Sequence, residues 1–213
     1  MFKRLLSKFE TEKTKEKELI DACAYGSTNG GITAKERVIK LLEDPEINVN
    51  AFDQQILHRI LKVKVTAFGW ACERDRIELM KLLLDDPRTD VNLGDPFAKA
   101  CQLRNFRTVH FLLKYEKVDI NKEETNITRT TPFKYACSIG LQMIPLQMIA
   151  SGREVDMEGA ILTCEQSAIQ PQCRKELIDL ITSYKDDRLK TIQECREKIA
   201  LNLLQWEAEC TIA

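Results

Sequence analysis

Residues 131–149 read TPFKYACSIGLQMIPLQMI, and two other stretches align with them without a gap. Residues 66–84 read TAFGWACERDRIELMKLLL, and residues 95–113 read DPFAKACQLRNFRTVHFLL. Each holds a short apolar block with an Ala-Cys dipeptide, a turn, and a second apolar block ending in a triplet. Such blocks predict a helix, a turn and a second helix. The dipeptide recurs upstream as Ala22-Cys23, and Thr163-Cys164 is a near copy downstream. A second signal follows each second helix. Asp44-Pro45…Asn48-Val49-Asn50 is echoed by Asp86-Pro87…Asp90-Val91-Asn92, then more weakly by Val118-Asp119-Ile120-Asn121 and Val155-Asp156-Met157.

One such unit cannot bury its apolar face alone, and stacked neighbours make a continuous core. A small Ala lets neighbouring first helices approach closely, and Cys beside it acts as a small apolar residue. Asp or Asn after the second helix suits a tight turn, because its short side chain bonds nearby backbone.

These motifs resemble ankyrin repeats. Thr131-Pro132-Phe133 with Ala136-Cys137 and Gly140 matches the opening of the family pattern, and Leu82-Leu83-Leu84 with Asp90-Val91-Asn92 matches its close. The Asp-Pro-x-x-Asp-Val-Asn variant is similar to ankyrin sets of protists. The resemblance covers about residues 17–182. It implies an all-α ankyrin-repeat solenoid of helix–turn–helix units with short or irregular hairpin loops. The repeats would span about 17–50, 65–92, 95–121, 130–158 and 159–182. Residues 1–16 form a basic helix or tail, and 184–211 form a C-terminal amphipathic capping helix.

The departures from the pattern are informative. The family His is replaced by Gly69, Ala98 and Lys134, which removes its hydrogen bonds to the Thr. The turn Gly is kept as Gly26 and Gly140 but replaced by Asp75 and Arg104. If those two are left-handed, each costs about 1 kcal/mol. Pro145 should kink its helix or delay the start. Residues 51–65 and 122–130 are longer insertions, and Gly30-Gly31 marks another. Pro171 introduces a helix with apolar Leu177, Ile178, Leu180 and Ile181. Beyond it, Leu189, Ile192, Cys195, Ile199, Leu203, Trp206 and Cys210 fall on one helix face. Phe2, Leu5, Leu6 and Phe9 do the same among Lys3, Arg4 and Lys8. That segment is read as a helix over the first repeat or a tail, not a membrane anchor, because Glu10 and Glu12 follow.

The chain has 213 residues, 32 Lys+Arg and 33 Asp+Glu, and this balance gives no electrostatic case for nucleic acid. Its apolar fraction is too high for a disordered chain. Eight Gly are about half of average use, against a barrel or sandwich rich in Gly turns. Eight Cys could be a disulfide framework, but such frameworks belong to short secreted chains. The basic N-terminus has no signal-peptide pattern, and no stretch is long and apolar enough to span a membrane. The expectation is a soluble chain of the cytoplasm or nucleus with reduced thiols. The Asn126 sequon carries no meaning there.

A thiol nucleophile with His58 or His110 as base would be a catalytic reading. Five Cys in one repeated register point to packing instead, because a nucleophile needs to occur only once. No Cys-x-x-Cys exists, so no metal is expected. Cys164 and Cys173 flank a Pro-containing turn; a redox-labile disulfide between them is one reading, and two reduced helix-face thiols are the expected one. Gly30-Gly31 lacks the Lys-Ser/Thr of a phosphate loop, and no cofactor or small-molecule substrate is expected.

An interaction surface remains. In ankyrin stacks the first helices and hairpin tips line a concave face. Alignment places Asp21, Trp70, Lys99 and Tyr135 outward, just before each Ala-Cys. One turn further lie Glu73, Arg74, Gln102, Leu103, Ser138 and Ile139. Tyr, Trp and Arg dominate binding hot spots. Trp70 and Tyr135 either contact a partner or pack on neighbouring hairpins; if contacts, both accept Glu without unfolding. The implied function is a non-catalytic module binding a partner protein. The alternatives are an assembly protein working through the C-terminal helix, or a thiol-based redox sensor.

Overall fold

The computed structural model describes residues 14–26, 32–57, 61–124 and 129–212, with side chains described except at 54–57, 61–63 and 202–212. The N-terminal segment, Gly30-Gly31, His58, Asn126 and the side chains of Leu203, Trp206 and Cys210 therefore lie outside the described residues. The described chain is mostly helical, with eleven helices and one two-stranded hairpin. It divides into two compact units, one ending at Pro96 and one beginning at Phe97.

The first unit holds two helix pairs, α1 (Lys15–Tyr25) with α2 (Ala34–Leu42), and α3 (Ala67–Glu73) with α4 (Ile77–Asp85). Threonine caps start three of these helices. Thr14 accepts from Lys17 N, Thr66 accepts from Gly69 N, and Thr33 forms a reciprocal capping box with Glu36. Helix α1 packs on α3, and α2 on α4. The contact is built on small residues: Ala22, Cys23, Ala71 and Cys72 have no exposed surface.

Between the pairs lies an antiparallel hairpin, β1 (Phe52–Leu57) and β2 (Leu61–Thr66), in register from Phe52↔Thr66 to Leu57↔Leu61. The sequence reading treated 51–65 only as an insertion in an all-α chain. The alternation Leu61-Lys62-Val63-Lys64-Val65 is the period of a half-buried strand. Val65 is buried against α3, and the Lys64 ammonium sits 5.4 Å from the Phe52 ring centroid.

The second unit holds three further pairs: α5 (Pro96–Gln102) and α6 (Phe106–Leu112), α7 (Pro132–Ser138) and α8 (Met143–Ala150), α9 (Ala160–Gln166) and α10 (Pro171–Asp186). The long α11 (Arg188–Ile212) follows. Helix α7 packs on α9, α6 on α8, and α11 on both α8 and α10. Pro145 sits in the first turn of α8, where its missing N–H has no intrahelical acceptor to lose. The helix begins one residue later, relative to its Cys, than α4 and α6 do. Delay, not a kink, is the outcome.

Each first helix from α1 to α7 ends on a left-handed residue three beyond its Cys. These are Gly26 (φ 61), Asp75 (φ 53), Arg104 (φ 60) and Gly140 (φ 71). In the last three, the Ala of the Ala-Cys pair accepts from the residue five later. Arg76 N donates to Ala71 O (2.9 Å), Asn105 N to Ala100 O (3.0 Å), and Leu141 N to Ala136 O (2.9 Å). This is the Schellman ending, which favours Gly at the left-handed site. Asp75 and Arg104 thus carry the strain anticipated for them.

The Asp-Val-Asn loops repeat as well. The last backbone N–H of the motif donates to the first side chain at Asn48 (3.1 Å), Asp90 (3.0 Å), Asp119 (3.0 Å) and Asp156 (2.9 Å). The middle residues Val49, Val91, Ile120 and Met157 are buried. Within each unit an Asn joins successive loops. Asn50 Nδ2 donates to Arg88 O (2.8 Å) and its Oδ1 accepts from Asp90 N (2.8 Å). Asn121 repeats this with Glu154 O and Asp156 N, both at 2.9 Å.

Arginines add a second tie. Arg88 donates to the carbonyl of Leu42, the last residue of α2, and to those of Asp44 and Pro45 beyond it, and Asp86 holds it by a 2.7 Å ion pair. Arg153 donates to those of Tyr115, Glu116 and Val118 past α6. Replacing Asn50 or Asn121 with Ala removes two such bonds and orphans their partners. Each change should cost about 2 kcal/mol in urea unfolding.

Candidate interaction surfaces

In the first unit, Trp70, Tyr25 and Arg74 form one cluster. Helix α3 runs as an unbroken buried series from Ala67 to Cys72, and Trp70 within it is only 2% exposed. The sequence placed Trp70 outward; the structure corrects this. Tyr25, at the end of α1, lies over the indole with ring centroids 6.2 Å apart and planes tilted by 42°. The Arg74 guanidinium covers it too, with its carbon 5.4 Å from the centroid. The indole Nε1 is buried with no hydrogen-bond partner. The outer layer is therefore Tyr25, 58% exposed, and exposed Arg74, beside half-buried Glu73. Asp21 lies on the same helix as Tyr25, one turn earlier, and pairs with Lys17 at 3.3 Å. Lys17 also pairs with Asp53 at 3.1 Å, which joins α1 to the hairpin.

In the second unit, Lys99 is also corrected. It is buried at 8% exposure, because Phe97, Ala98, Ala100 and Cys101 around it are core. Leu103, at the end of α5, is 52% exposed, and Gln102 is half-buried. Tyr135 and Ser138 on α7, and Ile139 at its C-cap, are half-buried. The Ser138 hydroxyl donates to the Tyr135 carbonyl at 2.8 Å, so its proton serves the helix end.

A cavity of about 390 Å³ opens in this unit among α6, α8 and α11. His110, Lys114, Gln147, Ser151 and Arg196 line it together with Leu113, Ala150 and Ile199. Burial and then the nearby Lys114 ammonium push the His110 imidazole below its ordinary pKa. The Ser151 hydroxyl donates to Met148 O (2.6 Å), and Arg196 Nε donates to Ala150 O (2.8 Å). Ser151 and Arg196 thus close the end of α8, whereas Gln147 Nε2 donates to Phe106 O at 3.2 Å.

The face of α11 is largely used within its own unit. Ile192, Cys195 and Ile199 are buried, while Leu189, expected on the same face, is 80% exposed. Arg188 and Arg196 reach the carbonyls of Gly152 and Ala150, adding charge-favoured contacts at the C-terminal end of α8.

The register cysteines Cys23, Cys72, Cys101, Cys137 and Cys164 are all buried, as is Cys195. Burial pushes the Cys23 thiol up to about 12 and the Cys72 and Cys101 thiols upward as well. Burial likewise raises Cys195, to about 11. Such thiols are poor nucleophiles.

Sequence reasoning missed Tyr25 and the loop arginines Arg88 and Arg153. Tyr25 sits two residues after Cys23, and the aligned residue Arg74 was singled out, so register alone could have found it. No helix of the described residues is long and apolar enough to cross a membrane. No protein-family model matches the chain, and no curated protein matches it.

Proposed function

We propose that the chain is a non-catalytic protein-binding module, an ankyrin-type solenoid of degenerate repeats that recruits a partner protein. The recurrent Schellman endings, Asx turns and Asn ties support the repeat reading. A repeat scaffold supplies a surface rather than a chemistry. The observation that carries the binding reading is the Tyr25–Trp70–Arg74 cluster. An exposed Tyr and Arg are braced by a fixed indole, and these residue types carry most hot-spot energy at low ordering cost. Exposed Leu103 and half-buried Tyr135 and Ile139 supply the contact residues of the second unit. The reading needs no cofactor, metal or nucleic acid, and its compartment is the cytoplasm or nucleus, where the thiols stay reduced.

Affinity capture followed by mass spectrometry tests it, with a Tyr25→Glu/Arg74→Glu variant beside the wild type. The variant should lose the captured partner while its melting transition stays within a few degrees. Equal capture by a folded variant would exclude this face.

A further inference from the structure

We propose that the cavity among α6, α8 and α11 is a ligand site for a small organic anion, a carboxylate on an apolar ring system that also carries a hydrogen-bond donor. The cavity shares no residue with the protein-binding surfaces assigned above, and the proposal stands independently of them. Its volume of about 390 Å³ lies at the lower end of the range for small-molecule sites, about 300–1,000 Å³.

The cavity exists because α11 packs on α8 and α10 and leaves a gap beside the end of α6. Two small side chains, Ala150 on α8 and Ala200 on α11, leave that gap unfilled. Floor and rim differ in chemistry. Leu113, Ala150 and Ile199 are buried and make an apolar floor. Lys114 and Arg196 are exposed and bring two positive charges to the rim, where half-buried His110 adds an imidazole.

Nothing among the described residues balances that charge. No Asp or Glu lines the cavity. Glu197, next to Arg196 in the chain, accepts from Gln193 Nε2 at 2.9 Å instead. The negative end of α8 would repel an anion, but Arg196 Nε already donates to Ala150 O there. An apolar floor under a cationic rim suits a ligand whose ring leaves water while its anionic head stays near the surface beside opposite charges.

Gln147 specifies the donor. It lines the cavity and is only 7% exposed. Its Nε2 is committed to Phe106 O, and its Oε1 has no hydrogen-bond partner. A buried acceptor left unmet is costly, so a ligand N–H that reaches it gains more than an ordinary surface bond would give.

Isothermal titration of the full chain with three probes tests this. Indole-3-propionate presents the anion, the ring and the N–H. Its 1-methyl derivative lacks the N–H, and tryptamine carries the same ring with a cation. Indole-3-propionate should saturate one site with a dissociation constant of about 1 mM or lower, the range for so small a ligand. The 1-methyl derivative should bind about threefold weaker or worse, and tryptamine about tenfold weaker or worse. Lys114→Glu reverses a rim charge, and Ala200→Leu narrows the opening. Each should weaken indole-3-propionate by about fivefold or more. Both positions are exposed, so an unchanged melting transition separates lost binding from lost folding. Three results would each overturn the proposal: no saturable binding up to about 10 mM, tryptamine binding as tightly as the acid, or unchanged affinity in both variants. Equal binding of the 1-methyl derivative would overturn the role of Gln147.

Discussion

Replacing Trp70 with Glu unfolds the first unit instead of baring a binding surface. The indole is 2% exposed, in a helix whose neighbours Phe68, Ala71 and Cys72 are at 0–1%. Removing a buried Trp side chain costs about 3–5 kcal/mol. The incoming carboxylate finds no partner for its charge, and an unpaired buried charge adds further cost. Domains are stable by only about 5–15 kcal/mol, so the sum removes most or all of the margin. Circular dichroism should show a melting transition lowered by well over ten degrees or lost. Tyr25→Glu, at a residue 58% exposed, should move it by no more than a few degrees. Near-equal melting of Trp70→Glu and wild type would contradict the burial of this residue. It also follows that Trp70 is the wrong position at which to test partner binding, and Tyr25 and Arg74 are the right ones.

The protein should lose stability steeply above about pH 9. Cys23, Cys72 and Cys101 are fully buried, and burial raises each thiol above its ordinary value, Cys23 to about 12. In the unfolded chain a thiol ionises near pH 8.5. The folded state keeps the proton and the unfolded state releases it. The stabilising contribution is therefore complete below the unfolded pKa and is lost as pH rises toward the folded one. Each such thiol contributes a slope of about 1.4 kcal/mol per pH unit in that interval. Three of them amount to about 4 kcal/mol between pH 9 and pH 10. Urea unfolding at pH 8, 9 and 10 measures this directly. The triple variant Cys23→Ala/Cys72→Ala/Cys101→Ala should be less stable at pH 8 but much flatter with pH. An identical slope in both proteins would show that these thiols are not protected.

Much of the paired-helix order was legible because its determinants are local and periodic. Ala-Cys marks where helices meet, and the residue three beyond the Cys marks where each turns. Knowing that Gly26 and Gly140 hold that place was enough to anticipate positive φ at Asp75 and Arg104. Burial of Trp70 was not legible in the same way. Register says which way a side chain leaves its helix, not what will cover it, and Tyr25 comes from a helix over forty residues upstream. Lys99 shows the same limit. The hairpin was written in the alternation at residues 61–65 and was hidden by its position inside an apparent insertion. Arg88 and Arg153 left no periodic trace, because one lies two residues before its Asp and the other three. Leu189 follows the apolar spacing of α11 yet stands at its first turn, where it is 80% exposed.

The dissociation constant of the captured partner, measured for wild type, Tyr25→Ala, Arg74→Ala and Leu103→Ala, tests the binding account most directly. Binding by this surface predicts at least a tenfold loss in Tyr25→Ala or Arg74→Ala, about 1.4 kcal/mol or more, with melting unchanged. Constants within twofold of wild type for all three variants would contradict it.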